Sequence, residues 1–192
     1  MTTPKILAFA GSARKDSFNH KLVQVAAEGA RSAGADVTIF NLKDYPLPLF
    51  DEDLERDEGT PEIASKLKQL FLEHDGLLIS SPEYNSSISP LLKNTIDWVP
   101  RPVEGEPRLA AYQGKVAAIM AASPGALGGL RGLVHVRSIL SSIGVIVLPD
   151  QVAIPNAYEA FDETGRLKDE RKQASVEGLG SGLAHIAGKV ID

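Results

Sequence analysis

The sequence predicts an α/β protein whose five-stranded parallel sheet is covered by helices on both faces, a three-layer sandwich. Short runs that are apolar at every position alternate with segments whose apolar residues recur at helical spacing. Strands without a polar face must be buried on both sides, as they are in parallel sheets. Five such strands favour the doubly wound order 2-1-3-4-5, in which ligands bind at the carboxyl ends of strands 1 and 3.

The first three strands precede the middle of the chain. We predict them over residues 5–10, 36–40 and 76–80. A helix with apolar residues from Leu22 to Ala30 lies between the first two, and a second helix begins at Pro61. The polar, proline-bearing stretch 41–60 is long for a plain connection, so we predict a partly ordered surface loop there.

The second half of the chain repeats the alternation. We predict helices over 89–98 and 129–143, a strand over 115–122, a broken strand over 145–148 and 152–154, and a terminal helix from about Asp169. No repeat, low-complexity segment or linker interrupts this order. The prediction is therefore one domain over residues 1–192.

Composition excludes several functions. The net charge of −5 and the absence of a basic run argue against nucleic acids and anionic membranes as partners. The chain has no cysteine, which removes disulfides, thiolate nucleophiles and iron–sulfur ligation, so redox activity would need a bound cofactor. The apolar run 6–10 is too short for a secretory signal or a membrane span. We expect a cytoplasmic protein.

The first informative loop, residues 11–19, follows the first strand. Free backbone N–H groups at a helix start, the hydroxyls of Ser12 and Ser17, the Asn19 amide and the Arg14 fork would together surround a phosphate. The loop lacks the Gly-Lys-Ser/Thr ending of a nucleotide P-loop and the GxGxxG spacing of a dinucleotide turn. The alternative is that Ser17 or Asn19 only caps a helix.

The second loop, residues 81–90, follows the third strand. Tyr84 and Ile88 could lie against a flat heterocycle, while Asn85 and backbone N–H groups could meet its polar edge. A simpler interpretation is a turn before a helix with Ser89 as N-cap and Pro90 in the first position. Both can hold at once.

The third loop, residues 122–131, follows the fourth strand and contains three glycines. Glycines permit backbone to approach a ligand closely, although this loop could also be only a tight turn. Three such loops at the carboxyl ends of strands 1, 3 and 4 are stronger evidence for a ligand site than any one of them.

In these three loops the sequence resembles the NADPH-dependent FMN reductases, a family that includes chromate, quinone and azo-dye reductases. The resemblance is carried by Gly11-Ser12, Arg14, Ser17 and Asn19, by Pro82-Glu83-Tyr84-Asn85 with the run Leu92 to Trp98, and by Ser123, Gly125 and Gly128-Gly129. It spans residues 5 to about 140. One departure is the segment 87–90, where the family often has a glycine.

The resemblance implies a flavodoxin-like fold, FMN as the bound flavin, NADPH or NADH as co-substrate, and homodimers or homotetramers. It implies that the FMN phosphate is held by Ser12, Arg14, Ser17, Phe18 and Asn19. The isoalloxazine ring would be held by Pro82, Glu83, Tyr84 and Asn85, and its other side closed by Ser123, Gly125, Gly128 and Gly129.

The expected activity is a ping-pong transfer from NAD(P)H through bound FMN to a small acceptor such as a quinone, an azo compound, chromate or free flavin. No side chain is required as an acid or base. The alternatives are a flavodoxin-type electron carrier without NAD(P)H turnover, and an interaction protein that has kept the fold and lost the flavin.

Other polar features have ordinary interpretations. The histidines are far apart and show no metal-binding spacing, so we expect surface or helix-end positions without a metal site: His20, His74, His135 and His185. The glycine-rich run 178–182 follows a helix pattern, which indicates close packing or a local break in the last helix.

Two charged features of the sequence are compatible with more than one interpretation. The acidic run 51–58 is predicted as a solvated loop, with contact to a neighbouring subunit as the alternative. Arg101 could pair with an acidic residue at a subunit contact, meet an NADPH phosphate, or lie on the surface.

Overall fold

The computed structural model describes residues 2–191 and contains the predicted parallel sheet. Its strands are β1 (Lys5–Ala10), β2 (Asp36–Ile39), β3 (Gly76–Ser80), β4 (Val116–Ala122) and β5 (Ile146–Ile154). They are ordered β2-β1-β3-β4-β5 and all neighbouring pairs are parallel. Both the predicted strand count and the predicted order are confirmed.

Helices cover both faces of the sheet. They are α1 (Phe18–Ser32), α2 (Glu52–Glu58), α3 (Glu62–Leu72), α4 (Pro90–Trp98), α5 (Leu130–Ser142), α6 (Ala157–Ala160) and α7 (Glu170–Ile191). Successive strand residues point to opposite faces. Ile6 and Ala8 of β1 therefore pack in a core with α1 and α7, while Leu7 and Phe9 pack in a second core with α3, α4 and α5.

Helices α1 and α7 cross closely at glycines. A Cβ atom added to Gly180 would overlap the carbonyl oxygen of Ala26, and one added to Gly29 would overlap that of Glu177. Side chains at these positions would force the helices apart. Close packing is thus the role of Gly180 in the glycine-rich run, as predicted.

The prediction that residues 51–58 form a loop is wrong, because most of them form α2. The Asp51 side chain caps this helix by accepting a hydrogen bond from the Asp53 N–H at 2.8 Å. Acidic residues in the first turn also complement the helix dipole. The stretch 41–60 additionally contains a 3₁₀ turn, Leu42–Asp44, so it is more ordered than predicted.

The predicted break in the fifth strand is a bulge within one continuous strand. Val147 lies opposite Ala117, but Gln151 lies opposite Ile119, so three residues of β5 lie between these two pairs where β4 has one. Arg137 donates to the Leu148 carbonyl at 2.7 Å and thereby satisfies backbone that leaves the ladder. Among residues 2–191, no helix combines the length and apolar character needed to cross a membrane.

Candidate functional site

The three loops singled out from the sequence meet at one edge of the sheet. Ala10 pairs with Ser80, and Ser80 with Met120, so β1, β3 and β4 end at nearly the same level. The first loop (residues 11–19), the second loop (81–90) and the third loop (122–131) leave from this edge. It is the switch point at which ligands bind in doubly wound sheets.

A cleft of about 330 Å³ lies between the first and second loops. Its lining consists of Gly11, Ser12, Ala13, Arg14, Tyr84, Ser89, Pro90 and Leu91. One wall is backbone from the first loop and the other includes the Tyr84 ring, which is 46% exposed. The cleft therefore offers polar donors at one end and an aromatic surface at the other.

Two polar side chains of the first loop, those of Arg14 and Ser17, are not engaged by other side chains of residues 2–191. Within residues 2–191, the Arg14 guanidinium makes no hydrogen bond or ion pair, and the buried Ser17 makes no side-chain cap on α1. The first N–H groups of α1 have no intrahelical acceptors, as at every helix start. A cation, a hydroxyl and a helix N-terminus fit a phosphate group. These residues thus suit the phosphate of a flavin mononucleotide.

The Asn19 side chain connects the end of the first loop to the ends of β3 and β4. Its side chain is 3% exposed; Nδ2 donates to the Ala122 carbonyl, and Oδ1 accepts from the Ala122 N–H and the Ser80 hydroxyl, each at 2.9 Å. The amide oxygen has therefore filled its acceptor capacity with the ends of β3 and β4. The structure places Asn19 at the base of the site, and its predicted contact with phosphate stays a prediction.

Phe18 belongs to an aromatic cluster beside the first loop. Its ring stacks with Phe161 at a centroid distance of 6.1 Å and meets Tyr158 edge-on at 5.2 Å. Lys21 lies over the Phe161 ring at 5.9 Å. This cluster attaches the segment after β5 to the start of α1, and Tyr158 is exposed close to the predicted phosphate site.

The second loop turns back on itself at Asn85 and Ser86. Both residues have left-handed backbone, with φ of 50° and 66°. Tyr84 and Ser87 exchange two backbone hydrogen bonds of 2.9 and 3.0 Å, which is the pattern of a type I′ turn. Serine pays a steric cost at such a φ, and strain of this kind is concentrated at ligand sites. The turn holds Tyr84 outward.

Glu83 faces α5. Its carboxylate accepts hydrogen bonds from the Gly132 N–H at 3.1 Å and from Arg131 at 2.6 and 2.9 Å. Burial alone would raise the pKa of Glu83, but the hydrogen bond from Gly132 and the pairing with Arg131 outweigh it and lower the pKa. Glu83 is thus an anion that joins the second loop to the end of the third.

The glycines of the third loop are required by its tight course. A Cβ atom at Gly128 would lie 2.6 Å from the Ile154 carbonyl carbon, and one at Gly129 would lie 2.7 Å from the Ala121 Cβ. Both residues also have positive φ. Gly125 is exposed, with space around it, and its N–H donates to the Ser123 hydroxyl at 3.3 Å. Two of the glycines thus serve packing, and Gly125 is open towards a ligand.

Comparison with known proteins identifies the family. The sequence profile of the NADPH-dependent FMN reductase family matches residues 4–159, which is most of the chain. The chain belongs to this family. The predicted family is confirmed, and with it an oxidoreductase class that uses FMN and NAD(P)H.

Individual relatives of the chain support its membership of the FMN reductase family. The chain is 34% identical over 174 residues to the NAD(P)H-dependent FMN reductase of Pseudomonas aeruginosa, covering 90% of this chain and 89% of the relative. It is 35% identical over 160 residues to a Burkholderia 2-hydroxy-1,4-benzoquinone reductase, covering 83% and 80%. The solved flavoenzyme NAD(P)H:acceptor oxidoreductase FerB of Paracoccus denitrificans superposes with a TM-score of 0.79 at 28% identity, covering 97% and 98%.

Arg101 is paired within the chain. Its Nε donates a hydrogen bond to Glu55 Oε1 at 2.8 Å, a second guanidinium nitrogen forms an ion pair with Glu55 Oε2 at 2.6 Å, and the group lies 5.0 Å from the centre of the Phe50 ring. Lys68 donates to the Arg101 carbonyl at 2.8 Å. The arginine therefore attaches α2 to the segment after α4. Its guanidinium, for which the sequence offered NADPH or a neighbouring subunit as partners, is paired with Glu55 of the same chain.

Several contacts around the cleft, and the surroundings of His74, were not found by sequence reasoning. Ser89 was predicted as an N-cap, but its hydroxyl also donates to the Gly11 carbonyl at 2.6 Å. His20 bonds the Ser12 carbonyl at 2.8 Å, and Arg131 anchors Glu83. His74 is buried and lies just after the end of α3, which is one of the two kinds of position predicted for the histidines, and its ring contacts the Leu70 carbonyl. These contacts join distant segments, and a lone residue in the sequence gives no signal of them.

A larger cavity lies outside the predicted site. It measures about 560 Å³ and lies between α1 and the residues after β2, with His20, Phe40, Asn41 and Asp44 in its lining. His20 lines this cavity and is hydrogen-bonded to the carbonyl of Ser12, which lines the cleft. The cleft at the switch point is lined by residues that the sequence predicted for ligand binding, among them Ser12, Arg14 and Tyr84. None of the predicted site residues lines the larger cavity.

Proposed function

We propose that this chain binds FMN in the cleft at the carboxyl edge of the sheet and uses NAD(P)H to reduce a small acceptor. The observation that carries the proposal is the set of unpartnered donors in the first loop, Arg14 and Ser17 among them, at the switch point beside the exposed Tyr84 ring. Membership of the FMN reductase family supports the same assignment.

The phosphate end is formed by the first loop. Arg14 supplies the charge, Ser12 and Ser17 supply hydroxyls, and the start of α1 supplies N–H groups. Charge-assisted hydrogen bonds of this kind are about twice as strong as neutral ones. Asn19 would act below the phosphate by holding the loop on β3 and β4.

The ring end is formed by the second and third loops. The exposed Tyr84 ring offers apolar surface to one side of a flat heterocycle, and the open backbone around Ser123 and Gly125 allows close approach on the other. Pro82 is buried, so its proposed contribution is to hold the backbone of the second loop beside the ring. Backbone N–H groups of these loops would face the polar edge of the ring and stabilise negative charge there. Asn85 offers a side-chain amide at the same edge.

Bound FMN would supply two-electron redox chemistry, which allows reduction by NAD(P)H and reoxidation by the acceptor to occur as two half-reactions. The chain's own part is to orient the ring and to keep its outer face open. No titratable side chain is needed as an acid or base in this scheme.

We propose a quinone as the acceptor class, because several relatives are named as quinone reductases. Azo compounds, chromate and free flavin are the other candidates for an open site. The proposal includes a homodimer or homotetramer in the cytoplasm, which light scattering and cell fractionation would examine.

Initial-rate kinetics test the proposal. The FMN-loaded protein is assayed for NADPH and NADH oxidation while 1,4-benzoquinone is varied at several fixed concentrations of the nucleotide. Parallel double-reciprocal lines are expected from two half-reactions at one site. Intersecting lines would reject the ping-pong scheme, and the absence of nucleotide oxidation would reject the reductase in favour of an electron carrier.

A further inference from the structure

His20 holds the backbone of the first loop from outside the cleft. It lies in the first turn of α1, and its Nε2 is 2.8 Å from the carbonyl oxygen of Ser12. A carbonyl oxygen can only accept, so the ring must carry its hydrogen on Nε2 and donate it. The partner carbonyl belongs to a buried residue of the predicted phosphate site.

This hydrogen bond fixes the direction of the next N–H group. A planar trans peptide points its C=O and N–H in opposite directions, so the Ala13 N–H is directed away from His20. His20 lines the large cavity beside β2, whereas Ala13 lines the cleft opposite Tyr84. The Ala13 N–H is therefore turned to the cleft side, and within residues 2–191 it has no protein acceptor.

The preceding carbonyl is engaged as well. The Ser89 hydroxyl donates to the Gly11 carbonyl at 2.6 Å and caps α4 by accepting from the Leu92 N–H at 3.1 Å. A carbonyl oxygen free to rotate into the cleft would repel a phosphate group. Two successive carbonyls of the first loop are thus each held by a side chain from a different helix.

We infer that His20 is a positioning residue for the flavin phosphate: by binding the Ser12 carbonyl it aims the Ala13 N–H at the phosphate of FMN. The inference rests on the proposed function, because it assumes that FMN occupies the cleft. It assigns His20 no contact with the ligand, so its loss should affect only the phosphate-bearing flavin.

The test compares FMN with riboflavin, which lacks the phosphate. Apo protein is titrated with each flavin by fluorescence quenching, for the wild type, His20→Leu and His20→Gln. His20→Leu should weaken FMN binding about tenfold, the size of one well-placed hydrogen bond to an anion, and change riboflavin binding less than about twofold. Glutamine retains an N–H donor, so His20→Gln should recover most of the affinity for FMN.

His185→Leu is the matched control, because His185 is an exposed histidine of α7 outside the three loops. It should leave both affinities unchanged. Equal losses for FMN and riboflavin in His20→Leu, no loss at all, or glutamine no better than leucine would each overturn the role of His20. A wild-type protein that binds riboflavin and FMN equally would also overturn it, and one that binds neither would reject the proposed function itself.

Discussion

Asn19 and Ala122 lie 103 positions apart and are joined by two hydrogen bonds of 2.9 Å. The side-chain amide of Asn19 pairs with both the N–H and the C=O of Ala122, as a neighbouring strand would. The Ser80 hydroxyl donates to the same amide oxygen. One buried side chain therefore links the start of α1, where the first loop ends, to the ends of β3 and β4, from which the second and third loops leave.

Replacing Asn19 by leucine should lower the free energy of unfolding by about 3 kcal/mol, because buried polar groups of Ser80 and Ala122 lose their partners. Urea denaturation of the apo protein measures this. Ser80→Ala removes a single bond and should cost about 1 kcal/mol. A loss in Asn19→Leu no larger than in Ser80→Ala would contradict the linking role.

The glycines of α7 give a matched set of substitutions. Gly180→Ala should destabilise the fold by more than about 2 kcal/mol, because its methyl group would overlap the Ala26 carbonyl at the crossing with α1. Gly178 and Gly182 have no neighbouring atoms within 4 Å of an added Cβ. Alanine at either should stabilise the helix by up to about 1 kcal/mol. Thermal denaturation of the three alanine variants measures these changes. Equal melting temperatures for all three would contradict this account.

Arg14 should contribute binding energy only to flavins that carry a phosphate. Arg14→Gln removes the charge and should weaken FMN binding by roughly 10- to 100-fold, with a reduced dependence of affinity on salt. Flavin titrations at low and high ionic strength measure both effects. Arg108→Gln, an exposed arginine outside the loops, is the control and should leave the affinity unchanged. An unchanged salt dependence in Arg14→Gln would argue that the phosphate lies elsewhere.

Glu83 should make the free energy of unfolding depend on pH in the acidic range. The pKa of Glu83 in the folded protein lies below its ordinary value of 4.5, so its contribution is present above that value and is lost as pH falls through the folded pKa. The free energy of unfolding should therefore fall more steeply for the wild type than for Glu83→Gln between about pH 5 and pH 3. Urea denaturation across this range measures the difference. Identical pH profiles would contradict the pairing with Arg131 and Gly132.

Much of the fold could be predicted because its strands are buried on both faces. Every residue of β3 and β4 is buried, and such runs are distinctive in a sequence. Helix α2 was missed because Leu54 is its only apolar residue, so it shows no apolar periodicity, and its order comes from the Asp51 cap and the Glu55–Arg101 pair. The bulge in β5 was seen only as a break, since its register depends on β4.

The site was predictable in position but less so in detail. Loops rich in glycine, serine and asparagine after strands 1, 3 and 4 located it, because the topology places those ends together. The carboxylate of Glu83 and the amide of Asn19 have their partners 48 or more positions away. Whether a polar side chain faces a ligand or supports a loop depends on such contacts, which composition and spacing do not contain.

An anaerobic spectrum tests the central claim most directly. The purified protein is mixed with FMN, freed of unbound flavin, and then given NADPH or NADH in separate cuvettes while the flavin band is recorded. The account predicts that one equivalent of FMN stays with the protein and that its band bleaches on addition of at least one nucleotide. A bound flavin that neither nucleotide bleaches, or a protein that retains no flavin, would contradict it.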